Sequence, residues 1–284
     1  MVFRRDYRDR DGYFRCDDRP YSGYLPQYSW RDRETKGAMI MMQRCGISEV
    51  LKSLKEGEDI QLVLVKRGVE SEQLEGILKM VNDRGIRIIR GSDNDIWRMS
   101  RDNSEGTPDI LALVGRDPTL DLDESIEAGG LIWLLAGAAY PVNIGFCIRT
   151  AEVSGADAVI VDAELSNTER KAAKRASMKA HRFIPVHWGD GLQAVKKAKD
   201  SGFRIISVED TGTKCPWETD LTGNIVLIVG GEKKGISRDI LEYSDEVIRI
   251  PMTGFVPSFN LQAPLSAVAI EAQKQRSPQN RGPQ

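Results

Sequence analysis

From Leu131 onward, short apolar runs alternate with stretches of helical spacing, and this alternation constrains the fold more than any other feature. Candidate strands lie at 131–136, 158–162, 204–208, 224–229 and 246–250. Candidate helices lie between and after them, at 143–154, 168–179, 190–201, 237–243 and 260–275. The pattern predicts an α/β fold with a mostly parallel sheet covered on both faces. In such sheets ligands bind in the loops beyond the carboxyl ends of the strands. Three segments stand at such ends: Asn143 to Ala156 (NIGFCIRTAEVSGA), Ile228 to Ser237 (IVGGEKKGIS) and Ile250 to Leu261 (IPMTGFVPSFNL). Each joins an apolar run to a Gly-containing turn with a few polar side chains. Their order and spacing predict one site assembled from three loops.

The chain ahead of this region is long enough for a second core, since 284 residues accommodate two domains. Residues 38–116 read as a small α/β unit. Ile47 to Leu54, Ser71 to Asn82 and Asp93 to Ser100 have helical character, and Ile60 to Val65, Ile86 to Ile89 and Ile110 to Val114 read as strands. The acidic stretch 117–129 reads as a linker, 130–276 as the main domain, and 277–284 as a flexible tail. Residues 1–37 differ from the rest, with alternating Arg and Asp, interspersed Tyr, Phe and Trp, and almost no aliphatic residues. Such a segment buries little and is expected to be disordered. It is a solvated tail, a segment that packs on its own protein, or an arm that contacts RNA through Arg on phosphate and Tyr on bases.

Bulk properties narrow the function classes. A net charge of −2 argues against a chain that is basic all over, so a nucleic-acid partner requires a local basic patch. Arg170, Lys171, Lys174, Arg175 and Arg182 supply one candidate, on a predicted helix whose spacing gathers the first four largely on one side. The alternative is a solvated helix face. The four cysteines, Cys16, Cys45, Cys147 and Cys215, are too far apart for a zinc knuckle, and only His181 and His187 could assist them. No metal site is expected. Reduced thiols, no apolar leader and no run long enough to span a bilayer predict a cytoplasmic protein without a membrane partner.

Within the three segments, each polar residue has an ordinary reading beside a functional one. Asn143 lies near a helix N-terminus, where Asn is a preferred cap. Arg149 is either a surface cation or a ligand-facing group, and its apolar neighbours Phe146, Cys147, Ile148 and Ala151 place it on a mostly buried helix. Gly230 and Gly231 either let backbone approach a ligand closely or form a plain strand-to-helix turn. No Walker loop and no GxGxxG fingerprint is present. Ser258 can cap the last helix and still take part in a site.

Together the three segments resemble the signature motifs of the SpoU/TrmH family of RNA ribose 2′-O-methyltransferases, in the SPOUT superfamily. The first pattern is met by Asn143, Gly145, Arg149, Thr150, Ala151, Gly155 and Ala156. The second is met by Gly230, Glu232, Gly235 and Ile236, and the third by Ile250, Pro251, Met252, Gly254, Val256, Ser258 and Asn260. The resemblance covers about residues 130–276. It extends more weakly to 38–116, which is similar to the family's L30e-like RNA substrate-binding domain. It implies a C-terminal deep trefoil knot, S-adenosyl-L-methionine as cofactor and a homodimer. It implies an active-site set of Asn143, Arg149, Glu232, Ser258 and Asn260, with cofactor contacts near Gly230, Gly231, Ile250, Met252 and Phe259. The substrate class implied is structured RNA, with large-subunit rRNA favoured over tRNA by the two-domain layout. The alternative is a knotted RNA-binding or ribosome-assembly protein without turnover.

Methyl transfer to a ribose hydroxyl needs alignment and removal of one proton. A guanidinium with a pKa above about 12 is a poor base at neutral pH, so Arg149 is expected to polarise the hydroxyl and bind the adjacent phosphate. Glu232, Ser258 and Asn260 are then expected to orient it. Three positions depart from the family pattern. Tyr140 stands where Asp is usual, Leu261-Gln262-Ala263-Pro264 replaces Val-Ser-Val-Ala, and Ser177-Met178-Lys179-Ala180 replaces Ser-x-Gly-Ala.

Overall fold

Two sheets organise the residues that the computed structural model describes, which are 42–100, 106–256 and 258–277. The Arg- and Tyr-rich segment 1–37, Pro257 and the tail from 278 lie outside them.

The first sheet contains β1 (Met42–Cys45), β2 (Ile60–Lys66), β3 (Arg87–Gly91) and β4 (Ile110–Val114), in the order β1-β4-β2-β3. Successive side chains of a strand point to opposite faces, and β2 and β4 divide accordingly. Val63, Val65, Ile110 and Ala112 pack under helices α1 (Gly46–Glu56) and α2 (Glu72–Asp83). Leu62, Leu64, Leu111 and Leu113 face the other way, against Ile96 and Met99 of helix α3 (Asp93–Met99). Ser71 and Ser92 cap α2 and α3 through their side chains.

The second sheet is all parallel, in the order β10-β8-β9-β5-β6-β7. Its strands are β5 (Leu131–Ala136), β6 (Ala158–Asp162), β7 (Val186–Trp188), β8 (Arg204–Val208), β9 (Ile225–Gly230) and β10 (Glu246–Ile248). Trp133, Leu135, Val159, Ile206, Leu227 and Val229 meet α5 (Pro141–Val153), α6 (Asn167–Ala176) and α9 (Gln262–Arg276) on one face. Ile132, Leu134, Ile160, Ile205, Val226 and Ile228 meet α4 (Leu122–Ala128), α7 (Gly191–Asp200) and α8 (Arg238–Leu241) on the other. The central strands are apolar throughout because both faces are covered.

Some expectations are corrected. The stretch 117–129, read as a linker, holds α4, which Asp121 and Glu124 close with a reciprocal capping box. Ile126 of that helix enters the core of the second sheet, and Ser125 hydrogen-bonds His187 at 3.0 Å. The helix expected over 168–179 stops at Ala176. Met178 and Lys179 take positive φ values of 49° and 72°, which no continuing helix allows. Residues 180–182 form a single 3-10 turn.

That break aims the next residues at the first sheet. Phe183 is buried among Leu62, Leu64, Ile96 and Leu113. Lys179 Nζ lies 2.6 Å from Asp95 Oδ1, and Arg182 Nη1 lies 3.3 Å from the same oxygen. Lys179 and then Ser92 hold the Asp95 carboxyl well below the usual carboxylate range. Arg116 Nη1 donates to the Phe183 carbonyl at 3.4 Å.

His181 sits within this segment, its Nδ1 2.8 Å from the Ser177 hydroxyl. Burial, then Lys174, Arg182 and Lys179, push its pKa down to about 4. Burial lowers His187 as well. The folded state therefore binds fewer protons than the unfolded chain between about pH 4 and the unfolded value near 6.5, so stability falls as pH falls through that window. Half-buried Glu152 and Asp157, both raised by desolvation, act in the opposite sense. Urea unfolding at pH 7 and pH 4.5, compared between wild type and histidine variants, separates the histidines from these carboxyls. His181→Gln should shrink the loss of stability between the two pH values, and His181→Gln with His187→Gln should shrink it further.

Candidate functional site

The site lies where β8, β9 and the chain after β10 end. A cavity of about 420 Å3 opens there, within the size range of small-molecule sites. Three loops line it. The turn after β9 supplies Gly230, Gly231, Glu232, Lys233 and Gly235. The segment after β10 supplies Ile250, Met252, Ser258, Phe259 and Asn260. The end of β8 supplies Val208, Glu209 and Asp210.

Glycine brings the loops together by removing side chains where backbones cross. A Cβ on Gly231 would stand 2.0 Å from the Gly137 carbonyl oxygen, and one on Gly230 would stand 2.5 Å from the backbone of Gly235 and Ile236. Their steric demand comes from neighbouring protein backbone, and both glycines also line the cavity. Gly145 has the same kind of role between helices, since a Cβ there would lie 2.5 Å from Ala173 O and Ala176 Cβ.

The crossing at Gly231 carries the loop between β5 and α5 to Glu232. Glu232 Oε2 accepts the Ala139 amide at 3.1 Å, and Oε1 accepts the Asn143 side-chain amide at 2.5 Å. Asn143 is the third residue of α5 rather than its cap; Tyr140 occupies the cap position and makes no side-chain cap bond. The Asn143 side chain is thereby free to join the first motif to the cavity wall. Burial, then the Glu232 charge, push the neighbouring Cys147 thiol above its ordinary value, which leaves it protonated and inert.

The third loop closes the cavity from the other side. Asn260 Oδ1 accepts the Gln262 amide at 3.1 Å, and Leu261, rather than Ser258, holds the cap position of α9. Gln262 Nε2 reaches Thr150 of α5 at 3.4 Å. Phe255 and Val256 project into solvent, and Met252 and Phe259 are partly exposed at the rim.

Arg149 stands apart from this group. It is exposed on α5, with no hydrogen bond or ion pair among the described residues, so Glu232 and Asn260 do not orient it within one chain. It shares a stripe at positions i, i+4, i+7 and i+11 with Val142, Phe146 and Val153, all exposed. Of the basic run, Lys171, Lys174 and Arg175 are exposed, and Arg170 stacks on Trp188 at 5.4 Å. Arg182 is spent on Asp95. Glu209 and Asp210 were missed by the sequence reading, although an acidic pair directly after an apolar strand was a usable signal. Glu209 Oε1 accepts the Ile236 amide at 2.7 Å and so pins the second loop.

Residues 130–270 match the model of the SpoU rRNA Methylase family. That region, from β5 into α9, is similar to members of that family. It is 32% identical over 157 residues to a 23S rRNA (guanosine-2′-O-)-methyltransferase RlmB of Pseudomonas putida, a match spanning 55% of this chain and 63% of that enzyme. The chain thus matches less than two thirds of the length of that relative. Two solved structures share the fold. The SpoU methyltransferase AviRb of Streptomyces viridochromogenes has a TM-score of 0.50 at 22% identity, with 83% of this chain and 90% of that one covered. An AdoMet-bound rRNA methyltransferase from Sinorhizobium meliloti has a TM-score of 0.51 at 19% identity, with 83% and 87% covered.

The Glu232–Asn143 contact is testable by a double-mutant cycle. Glu232→Ala and Asn143→Ala remove the same charge-assisted bond, so their stability costs should fall short of additivity by about 0.5–3 kcal/mol. Denaturant midpoints of the two single variants and the double variant measure the coupling.

Proposed function

We propose that this protein transfers a methyl group from S-adenosyl-L-methionine to a ribose 2′-hydroxyl in structured RNA, with large-subunit rRNA favoured over tRNA. The observation that carries the reading is the Glu232–Asn143 bond, which ties the first motif to a cavity walled by the second and third. The cavity chemistry suits the cofactor. Ile250, Met252 and Phe259 offer apolar surface to an adenine, and the acids Glu209, Asp210 and Glu232 offer negative charge to a sulfonium. When bound, that cofactor supplies an electrophilic methyl group. Gly230, Gly231, Ile250, Met252 and Phe259 are the residues that would hold it.

The chain's own groups then have to place and polarise the hydroxyl, whose proton passes to solvent as the O–C bond forms and the S–C bond breaks. Arg149 polarises it and binds the neighbouring phosphate, a task suited to a planar fork of donors. Asn143, held by Glu232, fixes the start of α5, and Ser258 and Asn260 shape the loop opposite. Lys171, Lys174 and Arg175 form the phosphate-contacting face.

The finer architecture belongs to the same reading. The chain folds as a trefoil knot, a reading supported by tight backbone crossings: a Cβ on Gly212 would lie 2.4 Å from the Ile248 carbonyl carbon, and Lys214 bridges to Ile248. The sheet of β1 to β4 with its helices is an L30e-like substrate-binding domain. The protein works as a homodimer. The exposed stripe of Val142, Phe146 and Val153, with exposed Ile270 on the adjoining α9, supports that assembly. It would place Arg149 at the boundary between two copies. The protein acts in the cytoplasm; among the described residues no helix is long and apolar enough to cross a membrane.

Tritium transfer from labelled S-adenosylmethionine to total RNA, taken from cells lacking the protein, tests the reading. Transfer should occur, and the product should contain alkali-resistant dinucleotides. Arg149→Ala should lower kcat/KM by about 100-fold or more, and Arg149→Lys should recover little of it. Cofactor binding without transfer would favour a non-catalytic RNA-binding protein. Near-full turnover of Arg149→Lys would overturn the bidentate role.

A further inference from the structure

We propose that Tyr140 is a stacking platform for a nucleobase of the RNA substrate, positioned by Lys233 beside the methyl-transfer site; the proposal rests on the function given above and names a recognition element within it.

The geometry sets Tyr140 at the edge of the site. Its chain neighbour Ala139 donates to Glu232, and Asn143 of the same helix start donates to the other oxygen of that carboxylate. Lys233, which lines the cavity, holds its ammonium 5.9 Å from the centre of the Tyr140 ring. A cation over a ring face fixes the ring without covering it, and Tyr140 keeps 51% of its surface open to solvent. The result is a half-exposed aromatic side chain beside a positive charge.

Local stability does not account for this residue. Position 140 is the N-cap of α5, where Ser, Thr, Asp or Asn would bind the free amides of the first turn. Tyr140 makes no such bond. A position that breaks a local folding rule is where a functional demand is to be sought. The chemistry offered is a ring face for a base and an ammonium for a phosphate, which is how single-stranded or flipped-out nucleotides are held. Such stacking tolerates any base, so Tyr140 positions the nucleotide and leaves base identity to other contacts.

The test compares Tyr140→Ala, Tyr140→Phe and Tyr140→Asp with the wild-type chain. Tritium transfer to total RNA gives KM and kcat, equilibrium dialysis gives cofactor affinity, and thermal unfolding gives Tm. Tyr140→Ala should raise the KM for RNA by roughly tenfold or more, the range of a lost base–aromatic stack. Tyr140→Phe should stay close to wild type, because the ring is kept. Tyr140→Asp should lose RNA affinity as Ala does while its Tm holds or rises, since Asp restores a cap. Cofactor affinity should be unchanged in all three. An unchanged KM in Tyr140→Ala overturns the proposal, and so does a KM rise that tracks loss of Tm or of cofactor affinity. If the wild-type chain transfers no methyl group, the function reading fails. Filter binding of the same RNA then decides the proposal: about tenfold weaker binding by Tyr140→Ala supports it, and equal binding overturns it.

Discussion

The site depends on two backbones lying closer than any side chain permits. Gly231 sits so near the Gly137 carbonyl that a Cβ would come within 2.0 Å of it, and a Cβ on Gly230 would come within 2.5 Å of the backbone of residues 235 and 236. Interiors are packed to crystal-like density, so such a contact cannot be relaxed cheaply. With the crossing in place, the Ala139 amide falls within reach of Glu232, and Asn143 follows one helical step later. Glu209 then ties the far end of the same turn through the Ile236 amide. The polar groups of the site are thus consequences of a steric arrangement that contains no polar side chain.

Charge around the cavity is sorted by depth. Glu209 and Glu232 are each satisfied by backbone or side-chain amides, which removes the penalty of a partly buried, unpaired carboxylate. Lys233 and Lys234 stand outside them on the exposed turn. A positively charged small molecule suits the inner surface and a polyanion suits the outer one. A chain of net charge −2 can therefore still present a basic approach to a polyanion, because the basic groups are local and outward.

The central architecture was legible because it rests on long apolar runs: the strands at 131–136, 158–162 and 204–208 are observed at those residues. Short elements were not. β7 has three residues and β1 four, too few for any period to emerge. Helix α4 was hidden by its acidic composition, although Asp121 and Glu124 spell a capping box. Within the site, residue types were legible and pairings were not. Asn143 was visible as a helix-start residue, but its partner lies 89 positions away and is set by the crossing at Gly231. Arg182 read as part of a basic face because nothing local announces Asp95 of the other sheet.

That pairing bears on how the first sheet is held. Met178 and Lys179 occupy the left-handed region, at a cost of about 1–2 kcal/mol for each non-glycine residue. The turn they make delivers Phe183 into the apolar face of β2 and β4, where burying a large side chain contributes about 1.5–3 kcal/mol. It also sets Lys179 and Arg182 on Asp95, whose carboxyl is part of the capping box of α3. The apolar burial and the ion pairs together offset the backbone cost, so the strained turn and the docked sheet stabilise each other. A glycine at 179 would relieve the strain but remove the cation that reaches Asp95. The departure from the family pattern at Lys179 therefore reads as a docking device, one that fixes the small sheet against the segment following α6.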